Sequence, residues 1–149
     1  MKLSVIKLWS FIALLSGLLL SFAVTAEQKQ LREFYVKLMT LSATEAVFNG
    51  AYQELHSINK ATQGYSDKTY AFARFNEKTK VIVASNFAST ATSFALILPK
   101  DLVQQWKLSD SGYELKDLLS ERKAYLKATA DSTSVQIELA PLESVVLKF

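Results

Sequence analysis

The chain has 149 residues, 50% of them hydrophobic and 21% charged, which fits one ordinary globular domain and excludes a disordered or fibrous protein. It contains no cysteine, so disulfide staples, thiol chemistry, thiolate metal sites and a lipoprotein anchor are excluded together. The formal charge of +3 comes close to balance once Lys2 and Lys7 are set aside, so charge gives no reason to expect nucleic acid or an anionic membrane as partner.

The first element in chain order is a targeting segment. Lys2 and Lys7 precede an uncharged run from Leu8 to Val24, and small residues follow at Thr25-Ala26. A basic start, an apolar middle and small side chains at the exit form a secretory signal. Val24 and Ala26 stand where signal peptidase requires small residues, which predicts a signal peptide over 1–26 with cleavage after Ala26. The protein is then expected to be exported, to the periplasm or the medium, with no membrane attachment after cleavage.

From Glu27 to about Ser42, Leu31, Phe34, Tyr35, Leu38 and Leu41 recur at spacings of three and four, with Lys29, Arg32, Glu33 and Lys37 between them. The spacing predicts one amphipathic helix, with its connection covering 27–48 and its apolar residues forming a contact face. Asn49-Gly50 is a turn pair, and beyond it the pattern changes to short runs of period two. Tyr70–Phe75 and Val81–Ser85 flank the polar Asn76-Glu77-Lys78-Thr79, which predicts an antiparallel hairpin. Ser93–Leu98 stops at Pro99, and a looser stretch holds Trp106, Leu108 and Tyr113–Leu119. Val135, Ile137 and Leu139 alternate with Ser134, Gln136 and Glu138, and Ser144–Phe149 closes the chain. About seven or eight strands separated by turns, without helices between them, predict a mainly β fold over 49–149: an antiparallel β-sandwich preceded by one helix.

Chemistry-bearing patterns are few. The acidic residues Asp67, Glu77, Asp101, Asp110, Asp131 and Glu138 fall in turns or on polar faces, where they read as solvated charges rather than the paired carboxylates of acid–base hydrolysis. His56 is the sole histidine; without a cysteine or a second histidine it cannot build the usual zinc site, and it reads as a structural or surface residue. Gly64-Tyr65-Ser66-Asp67-Lys68 breaks the Gly-x-Ser-x-Gly elbow at its last position, and four dispersed glycines make no phosphate loop. No metal ligand set and no cofactor is expected. Sugar rings stack on exposed aromatic side chains, and the candidates for that role are Tyr65, Trp106, Tyr113 and Tyr52. The core is the ordinary place for such rings, with Tyr65, in a polar loop, the one expected outside it. Tyr70, Phe72, Phe75 and Phe94 suit inward strand positions.

Leu31-Arg32-Glu33-Phe34-Tyr35, Val47-Phe48-Asn49-Gly50, Tyr70–Phe75 and Val81–Phe87 stand in an order that resembles the end of alpha-amylase-type enzymes of glycoside hydrolase family 13. In those enzymes the last barrel helix leads into a C-terminal β-sandwich. Asp117-Leu118-Leu119-Ser120 and Leu139–Leu147 look like that domain's final strands. The family's catalytic aspartates and glutamate lie on barrel strands, and no segment here matches them, so none can be carried over. The resemblance implies a signal segment joined near residue 27 to the last helix and C-terminal domain of an exported amylase, with the barrel absent. It implies a non-catalytic accessory domain of α-glucan metabolism. The alternatives are an amylolytic enzyme completed by a separate barrel chain, and a secreted protein-interaction module. An orphaned helix face also favours self-association.

Overall fold

The computed structural model describes residues 25–129 and 132–149. The predicted signal segment lies outside them except for Thr25 and Ala26. Contacts divide the chain into a unit ending at Lys37 and a second unit, Leu38–Phe149.

Helix α1 spans Ala26–Thr44, one residue more at its start and two at its end than the apolar spacing predicts. Its start is set by a reciprocal cap. The Thr25 amide donates to Gln28 Oε1 at 3.0 Å while the Gln28 amide donates to Thr25 Oγ1 at 3.2 Å, which satisfies two amides that no helical carbonyl can reach. None of its residues is buried. Leu31, Phe34 and Tyr35 are exposed, as are Val36 and Met39, whereas Leu38 and Leu41 are half-buried.

After a 3-10 turn at Ala46–Asn49 come β1 (Ala51–Glu54), α2 (His56–Asn59), β2 (Thr69–Phe75), β3 (Lys80–Asn86) and β4 (Thr92–Ile97). The chain continues through α3 (Lys100–Gln105), β5 (Ser111–Asp117), β6 (Lys123–Ala128), β7 (Thr133–Leu139) and β8 (Ser144–Lys148). The fold is mainly β, with eight strands, all paired antiparallel, in the order β1-β2-β3-β8-β5-β6-β7-β4. This is the mainly β, antiparallel class expected from the sequence, its strands forming one curled sheet. The short helices α2 and α3 interrupt the strands, where no helix was expected. The two halves join in a short ladder, Lys116↔Lys148 and Asp117↔Leu147, where β5 meets β8, and the Leu118 amide extends it to the Val146 carbonyl at 2.8 Å.

The curl closes the halves over one core. Ala71, Ala73 and Phe75 of β2 and Ile82 and Ala84 of β3 come from one half. Phe94, Leu96, Leu115, Leu126, Val135, Ile137 and Leu139 come from the other. A second cluster, Val47, Val81 and Val146, lies on the opposite face of β3 and β8 under the 3-10 turn. Burial on both faces explains why Val81–Ala84 and Val145–Leu147 read as continuous apolar runs instead of alternating ones.

Side-chain amides hold the edges. Asn76 Oδ1 accepts from the Lys78 and Thr79 amides at 2.9 and 2.8 Å, making the β2–β3 turn expected from the polar tetrapeptide. Asn59, fully buried, receives the Ile97 amide at 2.8 Å and donates to the Ile97 carbonyl at 3.0 Å, so its side chain stands in for a missing neighbour strand beside edge strand β4. Gly64 adopts φ +84°, and a Cβ there would collide with the Ser93 carbonyl, so only glycine lets this loop lie against β4.

Candidate functional site

Asp117 is the one buried acidic side chain among the described residues, 1% exposed at the end of β5. Oδ1 accepts from the amides of Leu119 at 3.1 Å and Val146 at 2.9 Å, and Oδ2 accepts from the Ser120 amide at 3.2 Å and the Ser120 hydroxyl. Each oxygen is thereby committed to the joint between β5 and β8, so this carboxylate serves as a structural clamp. Asp67, Glu77, Asp101, Asp110 and Glu138 are exposed, as their turn and strand positions predict, and Asp131 lies outside the described residues. Among the described residues there is no group of three or more His, Cys, Asp or Glu placed to hold a metal ion. No described helix is long and apolar enough to cross a membrane.

His56 opens α2. Its Nδ1 lies 3.0 Å from the Thr69 carbonyl, an acceptor only, so this nitrogen carries the hydrogen, with the Tyr65 hydroxyl 3.1 Å away. His56 packs between Tyr65 and Tyr70 with ring centroids 5.5 Å from each. The histidine is held structurally, in keeping with its reading from sequence.

Of the four aromatic candidates for sugar contact, Tyr65, Trp106 and Tyr113 are buried or half-buried, Trp106 and Tyr113 both against Phe149. Tyr65, expected outside, is 8% exposed and packs edge-on against Phe94, with centroids 5.0 Å apart. Burial, with the charge of Glu54 adding to it, pushes its hydroxyl up to about 12. Trp106 is 4% exposed between Phe75 and Phe149, and its indole N–H has no hydrogen-bond partner among the described residues. Tyr113 is half-buried, its hydroxyl accepting from the Ser109 amide at 2.9 Å. Neither Tyr65 nor Trp106 offers a ring face to solvent. Trp106 thus lies in the core, the ordinary place for such a ring, whereas Tyr65 departs from its expected exposure because the Gly64 turn, rather than strand alternation, sets its direction.

Exposed aromatic surface lies instead on the outer face of β1 and β2. Tyr70 and Phe72, expected inward, alternate with buried Ala71 and Ala73 and so point outward. Tyr52, on the neighbouring strand, shares a 2.7 Å hydroxyl contact with Tyr70 and lies 5.6 Å from the Phe72 ring. The hydrogen bond to Tyr70 pushes the Tyr52 hydroxyl up to about 12, and Arg74 sits over the Tyr52 ring at 5.1 Å. The small residues at 71 and 73 are the signal that could have revealed this face, because they suit a tightly packed core better than the larger rings do.

No protein-family model matches the chain, and no curated protein matches it at a significant level. Solved structures do. AmyP in complex with maltose aligns with a TM-score of 0.57 and 19% identity, covering 83% of this chain and 21% of that one. An AmyP variant in complex with maltotriose gives 0.58 at the same identity and coverage. An alpha-amylase from Anoxybacillus aligns at 0.53 and 20% identity, over 80% of this chain and 22% of that one. The chain thus spans about a fifth of the length of the structures it matches, and over that span it has an amylase-related fold.

Proposed function

We propose that this protein is a non-catalytic accessory domain of α-glucan metabolism, equivalent to the C-terminal β domain of an exported alpha-amylase and lacking the catalytic barrel. The observation that carries this reading is the pairing of coverages: most of this chain aligns with only a fifth of each amylase-type chain. The committed state of Asp117 and the exposed positions of the other described acids named above support it. Release of reducing sugar from soluble starch, measured with the purified chain alone and after addition of an amylase barrel stripped of its own C-terminal domain, tests the reading. No hydrolysis by the chain alone, together with a raised melting temperature of the added barrel, is the expected result. Hydrolysis by the chain alone overturns it.

The apolar residues exposed on α1 favour a second reading, a secreted protein-interaction module. Helix-dependent capture of one partner without any glucan retention separates this reading from the first. Both rest on export, for which the expected mature N-terminus is Glu27; N-terminal sequencing of the exported protein checks it.

A further inference from the structure

The ladder between β6 and β7 stops early. Pairing runs through Ala128↔Thr133, Lys127↔Ser134 and Leu126↔Val135 and ends there. Yet β6 stays laddered to β5 as far as Lys123, and β7 stays laddered to β4 as far as Leu139. Between 123–125 and 136–138 the two strands therefore part, and their facing backbone edges are not bonded to each other. A cleft of about 350 Å³ opens in this seam, within the size range of small-ligand sites.

Its floor is apolar. Ile137, Val145 and Leu147, core side chains between 2% and 5% exposed, line it through the opening. Its rim is polar, and the ring of Tyr125, 64% exposed, stands on it. The Tyr125 hydroxyl donates to Glu114 Oε2 at 3.1 Å, which holds the ring in place over the strand. The rim cations are already paired. Arg122 binds Glu143 at 2.6 Å, and Lys123 binds Glu114 at 2.9 Å. That pairing holds the Lys123 ammonium above its usual range and the Glu114 carboxyl below its own.

These features select a ligand class. Paired rim cations give an anion little to gain, while the exposed Glu138 on the same rim brings a carboxylate that can accept hydrogen bonds from hydroxyl groups. An apolar floor beside a fixed aromatic face suits a flat apolar surface, while a seam of backbone donors and acceptors suits a molecule that both gives and takes hydrogen bonds around its edge. A neutral pyranose ring has this combination, with C–H groups on its face and hydroxyls on its rim. We infer that the β6–β7 seam, with Tyr125 as its platform, is a binding site for a neutral oligosaccharide. The expectation that the sugar is an α-glucan rests on the proposed function; the site itself does not.

Affinity electrophoresis and calorimetric titration of the full-length chain with maltoheptaose and with cellohexaose test this. Binding of at least one sugar is expected, about tenfold weaker in Tyr125→Ala and close to wild type in Tyr125→Phe, which keeps the ring. Tyr52→Ala, on the other exposed aromatic surface, should bind as wild type does. Sugar binding that survives Tyr125→Ala overturns the site and leaves the glucan reading standing. Binding of cellohexaose alone, lost in Tyr125→Ala, keeps the site and removes the α-glucan assignment. Absence of binding to either sugar overturns the site.

Discussion

Asp117 shows how a single side chain can act as part of the backbone scaffold. Its oxygens accept from the amides on either side of the β5–β8 joint, where the two halves of the sheet meet in a short ladder. In Asp117→Asn one acceptor becomes an NH2 donor aimed at other donors, so buried amides lose their partner. The expected cost is about 3 kcal/mol, read as a lower urea midpoint at unchanged slope; a midpoint within experimental error of wild type would show that the clamp contributes nothing. Tyr65 makes a pH-dependent contribution. Burial raises its hydroxyl to about 12 in the folded chain, whereas the unfolded chain ionises near the ordinary value of 10. Its contribution is complete below pH 10 and is lost as pH rises from 10 toward 12, because only the unfolded chain releases the proton in that window. Tyr65→Phe should flatten the fall in stability by about 1.4 kcal/mol at pH 11, leaving the part due to Tyr52. Chemical denaturation at pH 9, 10 and 11 provides the comparison, and an unchanged slope in Tyr65→Phe would remove the assignment.

At the scale of elements, α1 is the clearest case of sequence spacing giving a segment its conformation. Apolar residues three and four apart, the Thr25–Gln28 cap and the absence of glycine and proline within Ala26–Thr44 agree with one another. Its exposed Leu31, Phe34, Tyr35, Val36 and Met39 leave apolar area in water that a second copy could cover. The proposed self-association predicts a mass that rises with concentration in sedimentation equilibrium and returns to monomer in the double variant Phe34→Ser, Met39→Ser; a wild-type monomer at high concentration rules it out. The hairpin of β2 and β3 and the alternation of β7 were equally legible, because period two and a polar tetrapeptide are local properties. Strand β6 was not: its Lys123, Tyr125 and Lys127 face outward, and only Leu126 and Ala128 are buried, too little apolar contrast to mark a strand.

For the whole molecule, the single curled sheet and shared core predict one cooperative transition. Trp106 lies in that core, packed against Phe149. Urea unfolding followed by the Trp106 environment and by far-ultraviolet circular dichroism should therefore give coincident curves, and separated midpoints would show that the halves unfold independently. Residue order and periodicity by themselves determined the mainly β class and the leading helix, because both are carried by side-chain type at fixed local spacing. The tertiary structure alone decided which rings are wet, that Asp117 is buried, and that β6 and β7 part to open a cleft beside Tyr125. Each of these depends on how one strand lies against another far away in sequence, and a curled sheet with a short joint sets that by packing, which no local pattern encodes.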